Sequence, residues 1–157
     1  MTDFRRILVP HDFSNHASAA LQTAARLLAP GGRLSVLHVV VPIVPVTEIP
    51  PAGIAPYVPT AELVKAAEQQ LERVVAKALP ARFRARVERK VEVGDPYQCI
   101  MDAARRVDVI VMSTAGRTGL SHLLIGSVTE KVVRHSPVPV LTLRPEAARK
   151  AAKSRKR

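Results

Sequence analysis

Aromatic residues and cysteines are both scarce in this sequence. Phe, Tyr and Trp make up 3% of the 157 residues, and Trp is absent. The core is therefore expected to be aliphatic, and the base–aromatic stacking of many single-strand nucleic-acid binders is poorly supplied. Cys99 is the single cysteine, which excludes an intrachain disulfide and a Cys-rich zinc site.

Long hydrophobic runs are also missing. The longest apolar stretch, 36–46, is interrupted by two prolines and a histidine, and it is far shorter than the roughly 20 residues that a membrane span needs. The first ten residues lack the hydrophobic segment of a signal peptide. We therefore expect a protein of a reducing compartment, the cytoplasm, with no membrane partner.

Positive charge, in contrast, is present in excess. The formal net charge is +11, and residues 149–157 contain six basic residues and no acidic one. This composition predicts a folded domain over 1–146 and a disordered basic tail over 147–157. Such a tail can hold RNA, DNA or acidic lipid weakly. The alternative is a solubilising tail without a dedicated partner.

Short β-branched runs alternate with helical patterns along the chain. Strands are predicted at 6–10, 34–40, 82–93, 107–112 and 138–143. Helices are predicted after Ser14, after Thr60, from Asp95 to about Arg106, and from Ser127 to His135. Five strands alternating with four helices predict a five-stranded parallel, doubly wound α/β sheet with helices on both faces. Ligands bind such sheets beyond the carboxyl ends of the strands.

Prolines and glycines predict where these elements end. The Pro-Gly-Gly at 30–32 is expected to end the first helix, and six prolines predict a long irregular loop over 41–59. Alternating charges make 82–93 a candidate edge strand, and Pro137 and Pro139 do the same for the last strand. The most apolar strand, 107–112, is expected to be central.

The segment from Ser113 to Glu130 follows a buried strand and leads into a helix. Gly116 and Gly126 allow a backbone to approach an anion closely and can take positive φ. The amides of 127–129 would be unpaired at the helix N-terminus, with the hydroxyls of Ser127 and Thr129 as additional donors to phosphate. The alternative is an ordinary capping box between Ser127 and Glu130.

Known catalytic motifs are absent. The sequence contains no Walker A loop, no G-x-G-x-x-G, no H-E-x-x-H and no G-x-S-x-G. His11, His38 and His122 are scattered and are expected to be structural or exposed. Catalysis is therefore left open, with a slow ATPase as the upper limit, because no general base is visible.

Three stretches resemble the universal stress protein family, over residues 4–144. They are Ile7-Leu-Val-Pro10-His-Asp12-Phe-Ser14, the strand end Leu37-His38-Val39, and the stretch 112–139. The nucleotide-binding branch of that family carries G-x-x-G, nine residues, then G-S or G-T. Gly116 and Gly126–Ser127 match this motif, whereas Ser113 replaces its first glycine.

The resemblance implies an ATP site. It places Asp12 at the ribose or adenine and the backbone of Val39 at the adenine edge. The other residues it implies flank the nucleoside (Pro10, His11), line the pocket (Met112, Ser113, Ala115, Gly116) or contact the triphosphate (Gly126, Ser127, Val128, Thr129). Family members often carry Thr at the position of His11 and His at that of Ala115. Asp12 has an alternative role as a turn or cap residue, and Arg117 is either solvated or in contact with a phosphate.

The function implied by the resemblance is that of an ATP-binding, nucleotide-responsive regulator in the stress response. Mg²⁺ would be held mainly by the triphosphate, since no metal site made of protein side chains is expected. A homodimer paired through the last strand is also implied. Two alternatives stay open: a family member that has lost nucleotide binding and acts through protein contacts, and nucleic-acid association through the basic tail.

Overall fold

The strands of the computed structural model form one parallel sheet. The structure describes residues 4–42, 61–114 and 125–144. Within these residues the sheet order is β3-β2-β1-β4-β5, and every pairing is parallel. The strands are β1 Phe4–Pro10, β2 Leu28–Val40, β3 Val87–Val93, β4 Val109–Ser113 and β5 Val140–Leu143. The predicted five-stranded parallel α/β fold is confirmed.

The helices cover both faces of this sheet. They are α1 Asn15–Leu27, α2 Ala61–Ala78, the single-turn α3 Ala81–Arg84, α4 Pro96–Ala104 and α5 Ser127–His135. One face of the sheet packs against α1 and α2, and the other packs against α4 and α5. None of the described helices combines the length and the hydropathy needed to cross a membrane.

The apolar run in β1 explains the two-sided burial. Ile7 and Val9 point into the cluster under α1 and α2, whereas Leu8 points into the cluster under α4 and α5. All three are at most 1% exposed. A strand buried on both faces has no polar alternation, which is why β1 reads as a continuous apolar run.

Two predicted helix starts are confirmed at the level of single hydrogen bonds. The Ser14 hydroxyl accepts from the Ala17 N–H at 3.1 Å and caps α1. The Asp95 carboxylate accepts from the Gln98 N–H at 2.9 Å and caps α4, with Pro96 as the first helical residue. Both caps satisfy amide groups that a helix leaves without internal partners.

The prediction that the Pro-Gly-Gly at 30–32 ends the first helix is wrong, because α1 already ends at Leu27. These residues instead lie within β2, where the pairing with β1 is irregular between Phe4 and Arg6. A Cβ on Gly32 would stand 2.7 Å from the Arg5 carbonyl oxygen. Glycine is needed at 32 because the two backbones meet there.

The alternation predicted as a strand over 82–93 is wrong in its first half. Residues 81–84 form α3, and β3 begins only at Val87. The Arg86 guanidinium donates to the Gly32 carbonyl at 2.8 Å and to the Ala29 carbonyl, which fixes this segment against β2. The edge position of β3 is confirmed, although Val93 is 44% exposed where the alternation would bury it.

Three smaller expectations need adjustment. The centre of the sheet is β1, so the strand predicted at 107–112 is interior but not central, and it begins at Val109. Helix α4 ends at Ala104 rather than near Arg106. The last strand is an edge strand, as predicted, but it is shorter, at Val140–Leu143. Most of the predicted loop at 41–59 lies outside the described residues, as do Arg117, His122 and the tail at 147–157.

Candidate functional site

A cleft of about 1060 Å³ opens over the carboxyl ends of β1, β2 and β4. The chain winds from β1 to β2 on one side and reaches β4 on the other, so the cleft lies at the point where the winding reverses. Ten of the twelve predicted site residues line it: Pro10, His11, Asp12, Val39, Met112, Ser113, Gly126, Ser127, Val128 and Thr129. Ala115 and Gly116 lie outside the described residues.

Asp12 lies directly after β1 and lines the cleft. Its Oδ1 accepts the Ser14 N–H at 3.0 Å, so it forms a turn before α1. The structural alternative considered from the sequence is therefore present. It does not compete with a place in the cleft, because the same half-buried carboxylate belongs to the lining.

His11 is a buried structural residue, 3% exposed. Its Nδ1 accepts the Phe13 N–H at 3.0 Å, so the proton is on Nε2, which donates to the Ser18 hydroxyl at 3.2 Å. The pKa of His11 is lowered to about 4, chiefly by burial; the nearby Asp12 opposes the shift and His38 adds to it. The imidazole is therefore neutral at pH 7 and fixes the turn after β1.

Phe13 and His38 form the floor of the cleft beside His11. The two rings stack with their centroids 4.0 Å apart, and the His38 Nδ1–H donates to the His11 carbonyl at 2.7 Å. Phe13 has φ = 67°, a left-handed conformation that is uncommon for a side chain of this size. No local sequence pattern predicts that conformation or a role for Phe13 at the cleft.

The N-terminus of α5 forms the far wall of the cleft. Gly126 is the N-cap, and among the described residues no side chain caps the helix. Glu130 pairs with Arg134 at 3.0 Å, so the capping box considered between Ser127 and Glu130 is not formed. The first amides of α5 at the cleft therefore have neither an intrahelical partner nor a cap from any side chain that the structure describes.

Thr129 does not supply the hydroxyl donor that the sequence suggests. Its hydroxyl donates to the Ser113 carbonyl at 3.0 Å, and the residue is 6% exposed. The bond ties the first turn of α5 to the end of β4. Ser127, in contrast, is exposed at the cleft.

Gly126 matters at the cleft because it has no side chain, and not because its backbone takes an unusual conformation. Its φ is −59°, so the positive φ that glycine allows is not used here. Its N–H donates to the Thr114 carbonyl at 2.9 Å, and a Cβ would lie 3.6 Å from that same oxygen. The methyl group of an alanine at 126 would therefore fit against this oxygen, whereas a longer side chain would extend past the position of that methyl group.

Ser113, which replaces the first motif glycine, is directed toward the end of β5. Its Oγ lies 3.5 Å from the Leu143 carbonyl oxygen, and the Thr114 hydroxyl donates to the same oxygen at 3.2 Å. Ser113 still lines the cleft, but its hydroxyl contacts the neighbouring strand.

A second helix contributes lining that the sequence analysis missed. Leu63, Ala66 and Gln70 of α2 face the cleft, as does Ile100 of α4. The three α2 residues are spaced three and four apart, so they form a stripe adjacent to the core stripe of Ala67 and its neighbours. The helical spacing of this stripe can be seen in the sequence, but the cleft that the stripe faces cannot.

Acidic side chains are few at the cleft. Asp12 is the single carboxylate residue among the described lining residues. Across residues 4–42, 61–114 and 125–144, no three His, Cys, Asp or Glu side chains are grouped closely enough to hold a metal ion. A divalent cation at this site would need most of its oxygen ligands from elsewhere.

Cys99 lies on α4 and is not part of the described lining. Burial raises the pKa of its thiol to about 11, and a hydrogen bond from the thiol to Glu92 acts in the same direction. The thiol is therefore protonated at neutral pH.

Comparisons with known proteins agree with this architecture. The model of the Universal stress protein family matches residues 3–144. A relative from Thermus aquaticus, the universal stress protein in the QAH/OAS sulfhydrylase 3′ region, is 33% identical over 144 residues. That alignment covers 90% of this chain and 99% of the relative.

Two solved structures share the fold. A universal stress protein in complex with cAMP is similar with a TM-score of 0.64 and 19% identity, over 90% of this chain and 98% of that one. A universal stress protein from Archaeoglobus fulgidus in complex with dAMP has a TM-score of 0.59 and 22% identity, over 92% and 100%. The family match over residues 3–144 and the 33% identity to the Thermus aquaticus relative show that the protein belongs to the universal stress protein family.

Proposed function

We propose that this chain binds ATP in the cleft and acts as a nucleotide-responsive regulator in the stress response. The observation that carries the proposal is the pairing of an apolar cleft with the uncapped N-terminus of α5 at its far wall. An apolar chamber suits a base, and exposed helix amides suit phosphate oxygens. A nucleotide would place its base in the apolar part of the cleft and its phosphates at the N-terminus of α5.

The nucleoside would occupy the end of the cleft formed by β1, β2 and α4. Val39, Ile100 and Met112 provide apolar surface there, and the Asp12 carboxylate is placed to accept from ribose hydroxyls. The backbone of Val39 would contact the adenine edge. The complexes of proteins of this fold with cAMP and dAMP support an adenine nucleotide as the ligand class.

The triphosphate would lie against α5. No lysine or arginine belongs to the described lining, so the amides of 127–129, the positive end of the helix dipole and the Ser127 hydroxyl would meet the phosphate charge. The Thr129 hydroxyl is committed to Ser113 and would donate no bond. Mg²⁺ would be coordinated mainly by the phosphates themselves, because Asp12 is the one carboxylate residue in the described lining.

The role proposed is binding rather than catalysis. The one carboxylate in the described lining is assigned to the ribose, and His11 is neutral and hydrogen-bonded at both ring nitrogens. This leaves no side chain in the described lining that we assign as a general base for water. A homodimer through β5 and a cytoplasmic location complete the proposal.

Substitution of Gly126 tests the ATP site. Gly126→Leu is expected to lower ATP affinity at least tenfold, because the side chain extends from the helix N-cap into the space proposed for the phosphates. Gly126→Ala is the matched control. Its methyl has 3.6 Å of clearance to the Thr114 carbonyl, and both variants keep the φ of −59°. Affinities are measured by isothermal titration of nucleotide-free protein with Mg²⁺ and ATP, and thermal unfolding reports on the fold.

Wild-type protein without measurable ATP affinity would overturn the proposal. That result would favour the alternative of a family member that acts through protein contacts alone, which the replacement of the first motif glycine by Ser113 suggests. Equal ATP affinity of wild type and Gly126→Leu would place any nucleotide site away from α5.

A further inference from the structure

A row of arginines lies at the amino ends of the strands, on the edge of the sheet opposite the cleft. Four segments, at the amino ends of β1 and β2 and just before β3 and β4, contain eight arginines, no lysine and one acidic residue; they are 4–6, 28–33, 79–86 and 105–108. Because the strands are parallel, all four segments reach the same edge. These residues are called the arginine edge: Arg5, Arg6, Arg33, Arg82, Arg84, Arg86, Arg105 and Arg106.

The register of the sheet brings the members of this row side by side. Arg6 and Arg33 are direct partners across β1 and β2. The Leu34 N–H donates to the Arg86 carbonyl at 2.9 Å, and the Asp108 N–H donates to the Arg6 carbonyl at 2.8 Å. With neighbouring strands about 4.8 Å apart, the row spans about 14 Å. It is therefore a continuous surface rather than four separate sites.

The fold uses three of the eight side chains. Arg6 pairs with Asp108, with Nη2 and Oδ1 2.6 Å apart, and Arg86 donates to the carbonyls of Gly32 and Ala29. The Arg82 guanidinium lies over the Phe83 ring, 5.1 Å from its centre. The other five form no ion pair with any residue that the structure describes. Seven net charges on one edge repel one another, so a bound polyanion would relieve a cost that the isolated domain bears.

The charge of the chain is concentrated in two places. The arginine edge and the basic residues of 149–157 together hold fourteen of the 24 Lys and Arg residues. Outside the four segments and 149–157, the chain has ten basic and twelve acidic residues, a formal net charge of −2. The described residues thus carry a basic surface of their own, separate in sequence from 149–157.

Arginine in place of lysine indicates the kind of anion. The planar guanidinium donates two parallel hydrogen bonds to a phosphate and is more weakly hydrated than an ammonium group. A membrane surface is less suitable, because lipid binding is strengthened by apolar side chains that enter the bilayer. The described large apolar residues that are exposed all lie outside the four segments: Val41, Leu63, Val93, Ile125, Val133 and Leu141.

We propose that the arginine edge binds the phosphate backbone of a nucleic acid without reading its base sequence. Phosphate contacts alone supply such sequence-independent binding. The described aromatic residues of the edge segments, Phe4 and Phe83, are half-buried against the core, so they are not presented as a stacking platform. This surface is separate from the ATP cleft, and the two sites can be tested independently.

The test compares two triple variants of the full chain that remove equal charge. One changes the edge (Arg33→Gln, Arg84→Gln, Arg105→Gln), and the control changes exposed helix positions (Lys65→Gln, Arg73→Gln, Lys131→Gln). A third variant replaces the six basic residues of 149–157 with serine. Binding to a labelled single-stranded RNA of about 20 nucleotides, and to DNA of the same sequence, is followed by fluorescence anisotropy over a range of salt concentrations.

The edge variant is expected to bind at least tenfold more weakly at about 50 mM salt, and the slope of log K against log salt falls by about 2 for three lost contacts. The control changes affinity less than threefold, and ATP titration of the edge variant matches wild type. Equal losses in both triple variants would overturn the proposal, as would loss confined to the serine-tail variant. Edge-dependent binding to anionic vesicles without RNA binding would assign the surface to a membrane instead.

Discussion

His11 shows how one side chain can connect the parts around the cleft. Its ring joins the turn after β1 to Ser18 of α1, and its carbonyl accepts from His38 at the end of β2. The bond from the Phe13 N–H requires an unprotonated Nδ1, and therefore the neutral imidazole with its proton on Nε2. Protonation at Nδ1 would break the bond from Phe13 and add a charge in a buried place.

This arrangement predicts a pH dependence of stability. The pKa of His11 is about 4 when folded and near its ordinary value of 6.5 when unfolded, so between these limits the unfolded chain binds more protons. As pH falls from 6.5 to 4, His11 is expected to lower the free energy of unfolding by up to about 1.4 kcal/mol per pH unit. Above 6.5 its effect is constant.

Urea unfolding at a series of pH values measures this slope. In His11→Asn the amide oxygen can still accept from Phe13 and does not titrate, so the decline between pH 6.5 and 4 is expected to be shallower. His135→Gln, at an exposed position on α5, is the control and should keep the wild-type slope. Identical slopes in all three proteins would show that His11 does not titrate as described.

At the scale of single elements, the irregular start of β2 is held by a close backbone approach. Gly32→Ala is expected to destabilise the protein by about 1–3 kcal/mol, because its Cβ would stand 2.7 Å from the Arg5 carbonyl, which belongs to another strand. Gly126→Ala, with clearance of 3.6 Å, should cost less than about 1 kcal/mol. Chemical denaturation of both variants tests the difference, and equal costs would contradict it.

The outer edge of β5 is the surface proposed for dimerisation. Leu141 is 39% exposed there, and no other described strand pairs with that side of β5. Leu141→Lys is expected to shift the protein from dimer to monomer in light scattering, because it places a charge in an apolar interface. Val93→Lys, on the opposite edge strand β3, is the matched control and should stay dimeric. A monomeric Val93→Lys beside a dimeric Leu141→Lys would move the interface to β3.

At the scale of the whole molecule, the fold was largely predictable and the details of the site were not. The starts of α1, α4 and α5 follow from local signals such as Ser14 and Asp95, and the parallel sheet follows from the alternation of elements. Residues 82–86 alternate like a strand, but they are held by bonds from Arg86 to carbonyls more than fifty positions away. No local pattern contains that information.

Within the cleft, too, contacts between segments distant in sequence could not be predicted. The placement of ten predicted residues around one cleft follows from parallel strands ending at a common edge. The bond of Thr129 to Ser113 and the stacking of Phe13 on His38 depend on contacts between distant segments. Ser127 and Glu130 have the spacing of a capping box, but Glu130 pairs with Arg134 instead.

The protonated thiol of Cys99 has a consequence for how this protein can respond to oxidants. Peroxides and disulfides react with a thiolate, and a pKa of about 11 leaves on the order of one thiolate in ten thousand molecules at pH 7. As the single cysteine of the chain, Cys99 is therefore a poor redox sensor. The regulation proposed for this protein would therefore depend on the nucleotide that occupies the cleft rather than on oxidation of its cysteine.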